Sequence, residues 1–332
     1  MTDIATNLNT IDGSLSDIKT AIVNKGGTVS GNITTFATAI DNIPSGGANI
    51  PREVSATGVL QFPTQSFTFS LPSGTTDVGD YGLTRILSIG DHSPAGTYPH
   101  TTGSFVADLS TLTKVSGVYA LSDAFNECTG MTGFNLSSLK EVSGNYAFQR
   151  AFQWCNSLTS INSSNNKIAL NSVSGNSAFY YAFYQCTGLT YFSANFGNIS
   201  GSNALQLICY GCTNLVECKL YWKTLSATNG LQYAFSGCTS MRWATLDCDV
   251  DITVGNALDG IFYNCTNLED IEFYTYGTIS NTNALSGMMR NTGSTTTHTI
   301  HFDSSMRSII ESLTGYPTFG GTSGYVTIAY DL

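Results

Sequence analysis

The chain has 332 residues, 42% of them hydrophobic and only 11% charged, and this length predicts either several domains or an array of repeats. The formal net charge of -10, with no run of lysine and arginine, argues against nucleic acid or an anionic membrane surface as a partner. No apolar run reaches the roughly 18 residues that a transmembrane helix needs, so we expect no membrane insertion.

Residues 1–47 predict a helical segment for oligomerisation and attachment. Apolar residues follow one another at alternating spacings of four and three, the pattern of a coiled-coil seam: Ile4, Leu8, Ile11, Leu15, Ile18 and Ile22. The mixture of Leu and Ile favours three or four strands over two, and we expect a homotrimer. A second amphipathic stretch, residues 33–43, precedes Pro44, so a helical pair folded back on one chain is the alternative.

Residues 48–104 and 303–332 predict β-rich caps at the two ends of the remaining chain. Apolar and polar residues alternate at 59–62 and 66–71. Residues 304–313 have helical periodicity, and residues 325–329 form a predicted closing strand.

Residues 105–302 contain a repeat of 26 to 31 residues, marked by six cysteines: Cys128, Cys155, Cys186, Cys212, Cys238 and Cys265. Most of these cysteines follow a pair such as Ala124-Phe125, and a second small-plus-apolar pair lies four residues earlier. A spacing of four places both pairs on one helix face, which predicts a short helix before each cysteine.

Each predicted helix is followed by a predicted strand and turn. Apolar and polar residues alternate after each cysteine, as in residues 218–220, which indicates a strand with one buried side. A Ser-Gly pair such as Ser143-Gly144 then predicts a turn whose serine caps the next helix and whose glycine adopts unusual backbone angles. Because no such unit buries its apolar face alone, the sequence predicts an α/β repeat solenoid of the leucine-rich-repeat type.

The repeated pattern A-F-x-x-C-x-x-L, followed by a short alternating strand, resembles the BspA-like leucine-rich repeats of bacterial and protist surface proteins. The resemblance covers about 190 residues and implies a solenoid and a role in adhesion. The chain departs from the usual BspA-like form because it lacks the Ile-Pro step after the strand, so we expect a different connection to the helix.

A stretch near the N-terminus resembles segments of bacteriophage tail-fibre and related virion proteins. It comprises residues 15–22, Lys25-Gly26-Gly27 and residues 36–44. This resemblance implies a virion structural protein, assembled in the host cytoplasm, whose N-terminal segment contacts other virion proteins. The absence of a secretory signal at the start of the chain agrees with that location. The alternatives are a bacterial cell-surface adhesin of the BspA-like type and a purely architectural virion component.

Candidate chemical sites are better explained as structural features. The aligned cysteines predict a buried ladder of reduced thiols rather than disulfides, and Cys209 with Cys212 predicts packing rather than a zinc or redox pair. His298 and His301 fall on opposite faces of a strand, and Asp247, Asp249 and Asp251 form either an acidic edge or a Ca²⁺ site. We expect no cofactor, no metal, no catalytic residue and therefore no enzyme.

The alignment of the repeats places one row of side chains on the outside of successive strands: Gly133, Ser160, Tyr191, Glu217, Trp243, Asp270 and Thr299. Aromatic groups among hydrogen-bonding side chains suit a host-cell receptor or a glycan. The candidate ligand-binding residues are Tyr191, Glu217, Lys219, Tyr221, Trp243, Asp270 and Tyr274. The alternative is that they are ordinary surface residues without a ligand.

Overall fold

A computed structural model describes residues 53–54, 60–61, 67–71, 74–80, 82–83, 103–161, 167–249, 252–293 and 295–332. Within them the chain winds through about eight coils of a parallel β-solenoid, which confirms the predicted stack of repeats. The predicted coiled-coil seam of residues 1–47 lies outside the described residues.

The described strands are short and nearly all parallel. In chain order they are β1 (Glu53–Val54), β2 (Leu60–Gln61), β3 (Phe67–Ser70), β4 (Phe105–Asp108), β5 (Lys114–Val115), β6 (Met131–Asn135), β7 (Glu141–Val142), β8 (Ile168–Ala169), β9 (Ser172–Val173), β10 (Tyr191–Asn195), β11 (Asn198–Ile199), β12 (Glu217–Trp222), β13 (Thr224–Leu225), β14 (Trp243–Cys248), β15 (Asp270–Thr275), β16 (His298–Phe302) and β17 (Val326–Tyr330). Only β1 and β2 pair antiparallel.

The parallel strands form three sheets. The long-strand sheet runs in the order β8-β10-β12-β14-β15-β16-β17, and the short-strand sheet in the order β5-β7-β9-β11-β13. A third sheet, β3-β4-β6, pairs the corresponding long strands of the first coils. In the long-strand sheet alternate side chains face inward, so that Cys218, Leu220 and Trp222 of β12 are buried while the residues between them are only partly covered.

The third side of each coil is not helical, and the predicted helix before each cysteine is wrong. These segments, which we call the turn column, comprise residues 118–128, 145–155, 176–186, 202–212, 228–238, 255–265 and 282–292, and they consist of consecutive turns. In the first six of them every fourth residue has positive φ, for example Tyr146, Arg150 and Trp154 at 55°, 52° and 57°. A right-handed helix excludes such residues.

Backbone hydrogen bonds in the turn column alternate between local and long-range partners. The N–H of Ala151 donates to the carbonyl of Phe148 in its own coil, at 3.1 Å. The N–H of Phe152 donates instead to the carbonyl of Ala182 in the next coil, at 2.9 Å. Backbone hydrogen bonds therefore join successive coils along this side, as they join strands in a sheet.

The sequence suits this four-residue pattern. Asn or Gly occupies many of the positive-φ positions, as at Asn203, Asn229 and Gly260, where these residues carry less steric penalty than others. The next two positions, small then large, point inward and are fully buried, as Ala178 and Phe179 are.

The cysteine ladder is buried as predicted, and the structure explains the choice of residue. All nine cysteines are free and buried. The thiol of Cys186 donates to the carbonyl of Phe152 in the preceding coil at 2.9 Å, and Cys212 repeats this bond to Phe183 at 3.1 Å. Burial raises the pKa of Cys265 to about 12, so the neutral thiol that makes this bond is the stable form.

Phenylalanine rings stack beside the cysteines. The rings of Phe152 and Phe183 lie 5.0 Å apart and within 5° of parallel. The next coil has Cys209 at this position, and Phe192 from strand β10 fills the space, with edge contacts to Phe183 at 5.6 Å and to Phe235 at 5.8 Å. The column of rings thus continues past the missing phenylalanine.

The glycines of the Ser-Gly pairs serve close packing rather than unusual backbone angles, contrary to the prediction. Gly144, Gly175 and Gly201 are absent from the positive-φ residues. A Cβ atom on Gly144 would lie 2.0 Å from the carbonyl oxygen of Gly117 in the preceding coil, and one on Gly175 would lie 2.1 Å from that of Gly144. Any other residue would force the coils apart.

The stack extends on both sides of residues 105–302. Strand β3 pairs with β4, so part of the predicted N-terminal cap belongs to the first coil. At the other end a 3-10 turn (Ser304–Met306) and helix α1 (Arg307–Glu311) match the predicted helical stretch. The predicted closing strand is β17, which pairs with β16.

We predict that Phe183→Ala lowers the free energy of unfolding by about 3–5 kcal/mol, because it empties a fully buried ring site that three other rings contact. Urea titration followed by circular dichroism measures this. Tyr276→Ala, at a side chain that is 74% exposed, is the control and should change stability by less than about 0.5 kcal/mol. A loss below about 1 kcal/mol for Phe183→Ala would contradict the described core.

Candidate functional site

The strand register places most of the predicted outer row side by side. Tyr191, Glu217, Trp243, Asp270 and Thr299 are consecutive partners across β10, β12, β14, β15 and β16. Neighbouring members are therefore separated by the inter-strand spacing of about 4.8 Å.

The first two predicted members do not join this row. Gly133 lies in β6, which belongs to the separate three-stranded sheet, and Ser160 lies in no strand. The alignment of the repeats could not reveal this break, because it follows the cysteines and not the strand pairing.

Four of the seven candidate residues line one cavity of about 480 Å³: Glu217, Lys219, Trp243 and Asp270. The sequence-based selection missed Thr245, Glu272, His301 and Asp331, which line it as well. Tyr221 lines a second cavity of about 430 Å³ beside Asp247, while Tyr191 and Tyr274 line neither of these two. We call the first cavity the Trp243 site.

Trp243 is the exposed large hydrophobic residue of the Trp243 site, and 41% of its surface is accessible. The guanidinium carbon of Arg242 lies 4.7 Å from the ring centroid, and Arg242 is itself held by Glu269 through bonds of 2.7 to 2.9 Å. Arg242 thereby packs against one side of the ring. Trp243 is a pre-positioned aromatic platform.

Charged groups surround this platform. The ammonium of Lys219 lies 2.9 Å from a carboxylate oxygen of Glu217, and this hydrogen bond raises the pKa of Lys219 above its ordinary value. Thr245 donates to Glu272 at 3.3 Å. Carboxylates flank Trp243 on both neighbouring strands, through Glu217 and Asp270.

His301 closes the other end of the Trp243 site. Its Nδ1 lies 2.8 Å from Asp331 and its Nε2 lies 3.5 Å from Asp270. Burial lowers the pKa of His301, but the hydrogen bonds to Asp331 and Asp270 outweigh burial and the net pKa is raised. Asp331 directly follows β17. Because β17 pairs with β16, Asp331 lies beside His301 of β16.

Tyr221, which lines the second cavity, makes a further cation–aromatic contact. The ammonium of Lys167 lies 4.2 Å from the centroid of the Tyr221 ring. Burial raises the pKa of Asp247 and the nearby Asp249 raises it further, while Lys167 acts in the opposite direction. Asp251, the third residue of the possible Ca²⁺ site, lies outside the described residues.

The remaining candidates have structural surroundings. His298 is fully buried and its Nδ1 lies 2.5 Å from the carbonyl oxygen of Leu268, whereas His301 is partly exposed, so the two lie on opposite faces as predicted. Cys209 and Cys212 are both buried in the core. The described residues contain no group of three or more His, Cys, Asp or Glu placed to hold a metal ion. None of the helices described is long and apolar enough to span a lipid bilayer.

Comparisons with known proteins return leucine-rich repeat structures. A T. pallidum leucine-rich repeat protein is 15% identical, with 69% of this chain and 83% of that one covered and a TM-score of 0.27. A leucine-rich repeat protein from Bacteroides ovatus is 14% identical, with 76% and 69% covered and a TM-score of 0.22. The pneumococcal vaccine antigen PcpA is 10% identical, with 85% and 99% covered and a TM-score of 0.17. No protein-family model and no curated protein matches the chain.

Because all three TM-scores lie below 0.5, the solenoid rests on the strand register and the turn column described above. These comparisons give no support to a virion role.

We predict that His301 titrates above the ordinary histidine pKa of about 6.5, and that Asp331→Asn lowers its pKa. The protonated ring then stabilises the fold fully below about pH 6.5, and this contribution is lost as pH rises through the raised folded-state pKa. NMR titration of the His301 ring resonances measures this pKa in the unchanged chain and in the Asp331→Asn variant. Asp249→Asn is the control, and an equal shift in that variant would mean that Asp331 has no specific effect.

Proposed function

We propose that the protein is an attachment protein that binds carbohydrate at the Trp243 site. The observation that carries the proposal is an exposed, supported indole in a cavity, with hydrogen-bonding side chains on both neighbouring strands. Sugar rings pack their C–H faces on aromatic rings, while their hydroxyl groups bond to carboxylates and amines.

The charges of the Trp243 site define the kind of sugar. Four carboxylates line it, namely Glu217, Asp270, Glu272 and Asp331, against Lys219 and His301. Lys219 is already paired with Glu217. An acidic sugar would meet like charges, so the proposed ligand is a neutral or amino-bearing oligosaccharide.

We propose binding without catalysis, and without cofactor, nucleic acid or membrane insertion. The proposal uses the side chains of the Trp243 site only to orient and hold a ligand. Release of reducing sugar from a bound oligosaccharide would contradict it and indicate an enzyme.

We predict that Trp243→Ala weakens oligosaccharide binding by roughly 30-fold, which corresponds to about 2 kcal/mol, because it removes the stacking platform. A glycan array selects the oligosaccharide, and calorimetry measures its affinity for each variant. Tyr276→Ala, which removes an exposed aromatic side chain outside the residues that line the site, should bind as the unchanged chain does. If Trp243→Ala binds with the same affinity as the unchanged chain, the ligand binds outside the Trp243 site. If no oligosaccharide on the array binds, an architectural role is favoured.

We further propose that residues 1–47 carry the solenoid on a larger assembly, with a phage virion as the first candidate and a bacterial cell surface as the second. The heptad seam from Ile4 to Ile22 and the resemblance of residues 15–44 to tail-fibre segments support the virion. Several copies on one carrier would raise the apparent affinity of a weak carbohydrate site for a host surface.

We predict that residues 1–44 join the chains in threes, because six apolar side chains on one helix are buried only on assembly. Light scattering should give a mass that is a multiple of three chains of 35.4 kDa for the full chain. A shortened chain beginning at Ala48 should lose this threefold association while its circular dichroism is retained. A full-length monomer would rule out the coiled-coil anchor, and threefold association in the shortened chain would place the interface in the solenoid.

A further inference from the structure

Among the residues that the structure describes, the long-strand sheet ends in an open strand edge. Strand β17 is the last strand of the long-strand sheet, and among the described residues no strand pairs with its other edge. The segment between β16 and β17 covers the end of the core with Met306, Ile310, Leu313 and Phe319, all of them buried. It does not cover β17 in the same way.

Half of the backbone groups of β17 point to this open edge. The N–H of His298 in β16 donates to the carbonyl of Tyr325 at 2.7 Å, and His298 is the register partner of Val326. In a parallel ladder, residues 325, 327 and 329 then bond to β16. The N–H and C=O groups of Val326, Ile328 and Tyr330 therefore face away from the sheet.

The side chains at this end are apolar and only partly covered. Val326, Ile328 and Tyr330 pack against the core but remain partly exposed, whereas Ile300 and Phe302 beneath them on β16 are fully buried. Residues 325–330 contain no charged residue and no proline, the features that normally protect an edge strand. The described strand β17 itself thus lacks this protection, although Arg307 of the segment before it lies 4.1 Å from the centroid of the Tyr330 ring.

We propose that this edge is an interface between two copies of the chain, in which the two β17 strands pair antiparallel across a twofold axis at Ile328. The sequence is complementary to itself in this arrangement. Ile328 lies opposite Ile328 of the second copy, and Val326 lies opposite Tyr330, a favourable aromatic and β-branched pair. The outward groups form about six N–H···O bonds, and the two long-strand sheets continue into each other.

Charge agrees with the twofold arrangement. The acidic residue that follows β17 directly along the chain is Asp331, which would lie opposite Tyr325 of the second copy. The two Asp331 carboxylates are then separated by six residues along the strands, about 20 Å. A head-to-tail contact of β17 with β3 of another copy would instead give an open filament.

Analytical ultracentrifugation of the full chain tests the interface. The unchanged chain should contain an even number of chains, and Ile328→Lys should halve its mass because two like charges meet on the axis. Thr327→Lys adds the same charge on the neighbouring, exposed residue, where the two copies of residue 327 are not directly opposite, and should leave the mass unchanged. An odd number of chains, an equal mass for Ile328→Lys, or a mass that grows without limit with concentration would overturn the proposal.

Amide hydrogen exchange on the unchanged full chain provides a readout that does not depend on the folding of a variant. The amides of Val326, Ile328 and Tyr330 should exchange slowly at high protein concentration and faster on dilution. Those of Thr327 and Ala329, which bond to β16, should exchange at the same rate at both concentrations. Exchange of the first group that is fast and independent of concentration would refute the pairing.

Discussion

The alternating hydrogen bonds of the turn column are the constraint on which the rest of the molecule depends. Every second amide of a coil finds its acceptor in the next coil, as Phe152 does at Ala182, so one coil alone leaves half of these groups unsatisfied. These bonds impose a short distance between successive coils, which explains the glycines of the Ser-Gly pairs and the small residues inside the turn column. It also aligns the cysteine thiols with the carbonyls of the preceding coil. The stability of the solenoid therefore depends on contacts between neighbouring coils more than on contacts within one coil.

The same constraint produces the candidate site. Because the coils are held in register at a fixed spacing, equivalent outward positions of successive coils form a row. In the row from Tyr191 to Thr299 the residue type varies from coil to coil, while the core beneath it stays constant. A ligand that contacts several rows meets side chains whose positions are fixed by the backbone. The exposed Trp243 and the carboxylates beside it gain their geometry in this way, without loops of their own.

The sequence alone predicts the period, the buried cysteines, the outer row of the middle coils and the closing strand, because each repeats or alternates. It fails for the turn column because small-plus-apolar pairs four residues apart fit both a helix and a chain of four-residue turns. Asn203, Asn229 and Gly260 mark the difference, since they recur at positions that need positive φ. The approach of Asp331 to His301 also could not be predicted, because it depends on the register of β17.

The most direct test of this account is the measurement of scalar couplings across backbone hydrogen bonds by NMR. We predict that the amide nitrogen of Phe152 couples to the carbonyl carbon of Ala182 in the next coil, whereas the amide nitrogen of Ala151 couples to the carbonyl carbon of Phe148. An α-helix would couple Phe152 to Phe148 instead, four residues earlier in its own coil. Coupling of Phe152 to Phe148 would contradict the turn column and, with it, the physical basis of the solenoid described.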